Sequence, residues 1–373
     1  MISLKMENTT ENVSSVEEDT WSAYSAEGDD EGNQIYQYFS VRQALAGMII
    51  TGGILGTVGN CFVVAAVVLS KKLRTTTNVF VVNLAVADIL TSLFVPWQAV
   101  GLLGGEEWPI PGASWVCAMA AFVIVVTFGC SINSLALIAV NRWVGITKSR
   151  VTTRRIYTAR KLALMVIFSW AIPLGCALLP VLTDFGELGY EKLYSSCTWV
   201  IEESVYYSIF ISAMYYPIQL ILITVCYTSI FCYVCKTSRR MTRANAPSIS
   251  EEVCGQGANR AMRRKLWKRQ VDVTKNLLYI VLAFVLCLTP YFVTIVFSSD
   301  WSRQLVPWAA AILFCNSCVN PFIYATSHPV FKEAFGYMVR CQKIPTSGAS
   351  HQTRYAATTN TDVPGADTAQ TKK

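Results

Sequence analysis

Apolar residues gather into long blocks along this chain, without the every-second-residue alternation of a half-buried strand. Seven such blocks stand at roughly 44–70, 78–103, 115–140, 162–182, 205–233, 275–298 and 306–326. Each is near or above the roughly 20 residues that a helix needs to cross hydrocarbon. The last two are separated only briefly, but Ser298-Ser299-Asp300-Trp301-Ser302-Arg303 is polar enough to end a run. The pattern predicts an all-α membrane protein, a seven-transmembrane helix bundle over 44–326. Residues 1–43, with Glu17, Glu18, Asp19, Asp29 and Asp30, are too acidic and too poor in aliphatics to form a core, and read as a disordered extracellular tail. No apolar signal-peptide core follows the first methionine, so the first span is expected to serve as its own insertion signal. From His328-Pro329-Val330-Phe331 to Arg340-Cys341 the chain carries an apolar and a basic face, which predicts a short amphipathic C-terminal interfacial helix over 327–341, followed by a disordered cytoplasmic tail over 342–373.

Composition agrees with the pattern. Of the 373 residues, 53% are hydrophobic and 15% charged, too little polarity to solvate a soluble protein of this size. The charges fall in the gaps and are sided. Lys71, Lys72 and Arg74 follow the first span, and Lys148, Arg150, Arg154, Arg155, Arg160 and Lys161 follow the third. A larger basic group, from Arg239 to Arg269, separates the fifth and sixth. The alternate loops hold Glu106, Glu107, Asp184, Glu187, Glu191, Glu202 and Glu203, with Lys192 the basic residue of the fourth-to-fifth connection. Basic loops stay cytoplasmic, so the amino terminus is expected outside and the carboxyl terminus inside the plasma membrane. The net charge of +7 is thus a topology signal and an attraction to the anionic inner leaflet of the lipid bilayer, with no nucleic-acid partner implied.

Most of the thirteen cysteines lie inside apolar runs, where a thiol packs as a small hydrophobe. In polar segments, Cys117 and Cys197 sit where outer loops are expected, whereas Cys254 and Cys341 lie among basic residues; the redox setting favours a disulfide between the first two. Sequons at Asn8 and Asn12 suit glycosylation of an external tail. Cys341, beside the interfacial helix, suits palmitoylation.

A charge at mid-bilayer costs roughly 2.5–3.5 kcal/mol on insertion scales, so an intramembrane acid points to function. Asp88 is the clear case. Polar company for it lies on other spans, at Asn60, Ser131, Asn316, Ser317 and Asn320, and Tyr324 extends the face of Asn316 and Asn320 by a further turn. A carboxylate among hydroxyl and amide oxygens is hard-cation chemistry, suited to sodium or a proton. The competing reading is that these groups only hydrogen-bond helices together. A neutral asparagine would do that at lower desolvation cost. A transporter is a further alternative for a lone carboxylate, although no internal repeat or pair of broken helices accompanies it. The two histidines, His328 and His351, are isolated, and no nucleophile and base are paired, so an enzyme is not expected.

Gly59-Asn60, the block Asn83-Leu84-Ala85-Val86-Ala87-Asp88, Cys117, Trp170, Pro290 and Asn320-Pro321-Phe322-Ile323-Tyr324 occur in an order that resembles the rhodopsin-like, class A G-protein-coupled receptors. The resemblance covers about residues 44–341 and implies a receptor that couples an extracellular ligand to a heterotrimeric G protein. It implies an allosteric sodium pocket at Asp88, Asn60, Ser131, Asn316, Ser317 and Asn320, and switch roles for Arg142, Pro290, Asn320, Pro321 and Tyr324. Three departures stand out. Asn141-Arg142-Trp143 replaces the family's Asp-Arg-Tyr, which leaves Arg142 without its usual anionic neighbour and weakens its restraint. Leu288 stands where the family carries tryptophan. Pro217 lies about two residues further from Tyr227 than the family's interval, which leaves both without a switch role.

Asn141 and Trp143 also bring the chain nearest in tone to melatonin-receptor-like and related orphan receptors. Ile124 occupies the position at which amine receptors carry an aspartate, and residues 306–326 hold no lysine for a retinal Schiff base. A non-amine, non-retinal ligand is therefore expected, neutral or mainly apolar, or a peptide read at the acidic loops. It would lie among Ile124, Val125, Phe128, Trp199, Tyr291, Phe292 and Trp308. Ser347, Ser350, Thr353, Thr358, Thr359 and Thr361 make a hydroxyl-rich tail of the kind that receptor kinases charge and arrestin reads.

Overall fold

In hydrocarbon every backbone N–H and C=O must be paired within the chain, so apolar runs of this length become helices. A computed structural model of the chain describes residues 39–200, 204–243, 278–295 and 300–344, with positions 267, 271 and 275. Asn8, Asn12, Cys254 and the hydroxyl-rich tail from Ser347 lie outside the described residues. Among those described, seven helices are long and apolar enough to cross a membrane: Phe39–Leu69, Thr76–Gly104, Ser114–Thr147, Ala159–Leu182, Val205–Arg240, Leu278–Ile295 and Gln304–Ser327. The first begins at Phe39, ahead of the expected start at 44, and takes the last residues assigned to the tail into the helix. Prolines interrupt two spans. The second breaks at Val95 before Pro96 and the fifth at Tyr216 before Pro217, because a proline ring supplies no backbone donor and crowds the preceding turn.

Two features escaped the apolar-run pattern. A short helix, Arg150–Ile156, follows the third span. Between the fourth and fifth spans the chain forms an antiparallel hairpin, β1 (Leu188–Glu191) paired with β2 (Ser196–Trp199), in register from Leu188 opposite Trp199 to Glu191 opposite Ser196. The bundle is otherwise helical. Its last helix, Pro329–Val339, buries Phe331 and Ala334 against the bundle, with the Phe331 ring stacked on Tyr324 at 5.0 Å, and leaves Cys341 exposed just beyond its end.

Lipid and bundle faces separate cleanly. Ile54, Val58, Phe168, Ile221, Phe231, Leu286 and Phe322 are exposed apolar side chains, as expected of surfaces that meet acyl chains. Inside, small residues and polar knots hold the spans together, since burial of apolar area cannot distinguish protein from lipid. A Cβ placed on Gly59 would stand 2.7 Å from Pro321 Cβ, and one on Gly56 would collide with Ser92 Oγ, so the first span approaches both the seventh and the second through its glycines. Asn83 Nδ2 donates to Ser134 Oγ at 2.7 Å and Ser169 Oγ at 3.0 Å, while Trp170 Nε1 donates to Asn83 Oδ1 at 2.9 Å. One asparagine thereby ties the second, third and fourth spans. Gln219 Nε2 reaches Asn133 Oδ1 at 3.2 Å and joins the fifth span to the third.

Gly59→Val is expected to force the first and seventh spans apart, at a cost of about 1–3 kcal/mol from overpacking. A lower midpoint of thermal unfolding in lipid nanodiscs checks it; an unchanged midpoint would show that the helices separate freely there.

Candidate functional site

Asp88 stands on the second span at 1% exposure, and three neighbouring side chains aim at its carboxylate. Ser131 Oγ on the third span donates to Oδ1 at 3.0 Å, Ser317 Oγ on the seventh donates to Oδ1 at 3.3 Å, and Asn320 Nδ2 donates to Oδ2 at 2.8 Å. Asn60 on the first span joins indirectly, its Nδ2 donating to the Ser317 carbonyl at 2.8 Å and the Gly56 carbonyl at 2.9 Å. Five of the six residues expected here thus form one hydrogen-bonded cluster. The sixth, Asn316, is buried beside it with its Oδ1 unpaired, and Asn60 Oδ1 is unpaired as well.

All three donors to Asp88 are neutral, so nothing in the set cancels its charge. Carboxylate, hydroxyl and amide oxygens are the ligand types of a hard cation, so the chemistry of this set fits a sodium ion, which Asp88, Ser131 and Ser317 would hold with Asn316 as a further oxygen donor.

Above this cluster the bundle opens into a cavity of about 660 Å³. Its walls include six of the seven residues expected for a ligand: Ile124, Val125, Phe128, Trp199, Tyr291 and Phe292. Trp308 is the exception. It is 41% exposed and absent from the cavity wall, because the helical phase of the seventh span turns Val306, Pro307 and Ala310 inward instead. Gln98, Tyr194, Ser196, Thr198, Ser208, Ser212 and Tyr215 also line it and were not foreseen. Ser208, Ser212 and Tyr215 recur at intervals of four and three, a helical face that could have been read. Tyr194, Ser196 and Thr198 carry no such period, since the hairpin alone brings them over the cavity.

That hairpin is fastened from several sides. Cys117 and Cys197 form a disulfide with sulfurs 2.02 Å apart. Gln98 Nε2 donates to the Cys197 carbonyl at 2.6 Å and the Cys197 N–H donates to Gln98 Oε1 at 2.9 Å. Tyr190 hydrogen-bonds the Gly101 carbonyl at 3.0 Å and also that of Gly105, and burial pushes its phenol up, so it stays a neutral donor. Ser195, in the left-handed region at φ 47°, holds the turn by donating to the same Gly105 carbonyl at 2.7 Å.

At the opposite end of the third span, Asn141 is buried and its Oδ1 accepts from Thr77 Oγ1 at 2.7 Å and from Arg142 Nη2 at 2.8 Å. Arg142 therefore keeps a partner, a neutral carbonyl in place of a carboxylate, while its Nε is left without one. Burial pushes the nearby Tyr157 phenol up, against the opposing pull of the Asn141 amide and the Arg142 guanidinium. Trp143 carries the Lys148 ammonium 5.3 Å above its ring, at the membrane edge. On the sixth span Leu288 is fully buried in the core. Beside Pro290, Thr289 Oγ1 donates to the Val285 carbonyl at 2.7 Å and lies 2.9 Å from the Tyr216 hydroxyl, while the Tyr216 ring stacks on Phe292 at 4.5 Å. The break in the fifth span at Tyr216 is thus joined to the sixth span beside Pro290, where the sixth helix runs on unbroken. Tyr324 is buried, with its hydroxyl unpaired.

Comparison with known proteins agrees with this geometry. The family described as "7 transmembrane receptor (rhodopsin family)" matches residues 59–324. The chain is similar to the allatostatin-A receptor of Bombyx mori, 29% identical over 328 residues, 83% of each chain. It is similar also to the alpha-1D adrenergic receptor of Mus musculus, 30% identical over 80% of this chain and 57% of that protein, and to melanopsin of Rutilus rutilus, 30% identical over 78% and 57%. The crystal structure of squid rhodopsin superposes with a TM-score of 0.67, covering 87% of this chain and 93% of that one at 21% identity. The narrower likeness to melatonin receptors finds no support in these relatives.

Sodium is expected to stabilise the purified protein. Replacing N-methylglucamine chloride by sodium chloride should raise the unfolding midpoint by roughly 2–4 °C for each kcal/mol of binding, and Asp88→Asn should abolish the difference. Equal midpoints in both salts would count against the ion pocket.

Proposed function

The chain belongs to the rhodopsin family of seven-transmembrane receptors, and from that premise we propose that it is a plasma-membrane receptor that couples an extracellular ligand to a heterotrimeric G protein. The observation that carries the reading is that one helix, Ser114–Thr147, lines the outer cavity with Ile124, Val125 and Phe128, meets Asp88 through Ser131 and ends in the Asn141-Arg142 cluster. A ligand that moves this span against the fifth and sixth would reach the inner cluster through rigid backbone. Basic loops favour the Arg142 end as cytoplasmic and the hairpin end as extracellular. On this orientation Asn8 and Asn12 are available for glycosylation. Cys341, exposed at the end of the last helix, is the proposed palmitoylation site, and the carboxyl-terminal hydroxyls are the proposed substrates of receptor kinases and the signal for arrestin.

The ligand is proposed to be neither retinal nor an amine. Ile124 provides no carboxylate on the third span, and Gln304–Ser327 contains no lysine. The outer wall instead presents aromatic rings and hydroxyls, which suit a ligand whose body is apolar. Purified protein in lipid should accelerate nucleotide exchange on at least one member of a G-protein panel. Silence across every class, both basally and through a broad ligand screen, would end this reading.

Because Asn141 restrains Arg142 through a neutral oxygen, the inactive arrangement is held less firmly than a carboxylate would hold it, and measurable basal exchange is expected. Leu288, smaller than an indole, biases the bundle the same way. Asn141→Asp would keep the acceptor for Thr77 and turn the existing bond from Arg142 into an ion pair. That gain of about 1 kcal/mol should lower basal nucleotide exchange about fivefold. Unchanged exchange would show that this contact does not set the resting equilibrium.

A further inference from the structure

The inward stripe of the sixth span is Phe284, Leu288 and Phe292, spaced four residues apart and all buried. Its middle member is the leucine that replaces the family's tryptophan, so the stripe offers no polar atom at the level of Pro290. The two flanking rings are instead matched from other spans. Phe128 on the third stacks on Phe284 at 6.3 Å, and Tyr216 on the fifth stacks on Phe292 at 4.5 Å with 19° between the planes. Phe292 lines the cavity, whereas Tyr216 stands behind it and is absent from the wall. The Tyr216 hydroxyl lies 2.9 Å from Thr289 Oγ1, whose one hydrogen goes to the Val285 carbonyl at 2.7 Å, so the phenol is the donor. Backbone bonding is thinnest on both sides of this contact. Pro217 brings no N–H for the Ala213 carbonyl, and Pro290 brings none for that of Leu286. One side chain therefore joins the break in the fifth span to the proline turn of the sixth, and a ring of the cavity wall rests on it.

We propose that Tyr216 is the residue through which the cavity controls the sixth span, and that its bond to Thr289 holds the resting arrangement. Arg142 is bonded to Asn141 in this structure, so the arrangement seen is the restrained one, and the Tyr216 contact belongs to it. An occupant of the cavity that presses on Phe292 shifts the stacked pair, carries the phenol away from Thr289 and lets the inner ends of the fifth and sixth spans part. Tyr216 acts through Phe292 without touching the ligand, which makes it a positioning residue. The inference rests on the receptor reading and goes beyond it by naming the contact that links the cavity to the moving helix. A structural staple at the same place would add stability and leave the balance between the two arrangements unchanged.

The Trp267 ring, ahead of the sixth span, lies 6.0 Å from the Tyr233 ring near the end of the fifth, so its signal reports the separation of those two ends. The test uses the full-length protein in nanodiscs, labelled with 5-fluorotryptophan, with the Trp267 fluorine resonance assigned through Trp267→Phe. Tyr216→Phe keeps the ring and its stack and deletes only the hydroxyl. It should raise the population of a second, shifted Trp267 resonance about fivefold, the weight of one ordinary hydrogen bond, and raise basal nucleotide exchange on the G-protein panel in parallel. Thr289→Val should do the same, and Thr289→Ser, which keeps the hydroxyl, should match the unmutated protein. The double variant Tyr216→Phe with Thr289→Val should go no further than either single one, because both remove one bond. A lower unfolding midpoint with unchanged Trp267 populations, or effects that add in the double variant, would overturn the proposal. Either single variant suffices if the other does not fold. Shifted Trp267 populations with no exchange on any G protein would leave Tyr216 in its role and end the receptor reading. Exchange with unmoved populations would do the reverse.

Discussion

A carboxyl group held away from water by four helices is the constraint around which this bundle is organised. Asp88 accepts hydrogen bonds from the third and seventh spans, and Asn60 links the first span to the same knot through the Ser317 carbonyl. Removing any of these helices would strand a carboxylate in hydrocarbon, which is far costlier than losing an ordinary packing contact. Close approach through Gly56 and Gly59 is the complementary condition, because polar side chains this short connect neighbouring helices only when the backbones nearly touch.

The same knot divides the molecule into two ends with different chemistry. At one end lies a cavity walled by aromatic rings and hydroxyls, capped by a hairpin whose disulfide and Gln98 bonds hold it to the second and third spans. At the other lies a cluster built on Asn141, whose single amide oxygen serves both Thr77 and Arg142. A guanidinium bonded to a neutral amide oxygen is held less strongly than one paired with a carboxylate, so the restraint at the Asn141 end is soft while the cap over the cavity is firm. Between them the fifth span breaks before Pro217, and Tyr216 at the break is held to Thr289 and Phe292 on the unbroken sixth. That is where a change in cavity occupancy has the least backbone hydrogen bonding to overcome.

Legibility followed the physics of each feature. Span number and the polar members of the Asp88 cluster were readable, because bilayer thickness sets a helix length and a polar side chain inside an apolar run must find a partner. Cys117 and Cys197 were readable from their setting. Trp308 was not placed correctly, since an aromatic near a span's outer end is equally at home against lipid, and only the rotation of the helix chooses; Val306 and Pro307 won the inward face. Tyr194 and the hairpin escaped because a four-residue strand pair in a loop leaves no period longer than the loop itself.

The amino-acid sequence by itself determined that this chain is a seven-helix membrane protein, and that Asp88 needed oxygen partners and Arg142 a neighbour other than an acid. These follow from local chemistry that any fold in a bilayer would have to respect. Tertiary structure alone decided that Asn316 keeps a free oxygen, that Asn141 is shared between Thr77 and Arg142, and that the outer cavity runs unbroken down to Asp88. Those depend on the rotation and separation of helices far apart in the chain, quantities that packing sets and that no residue states on its own.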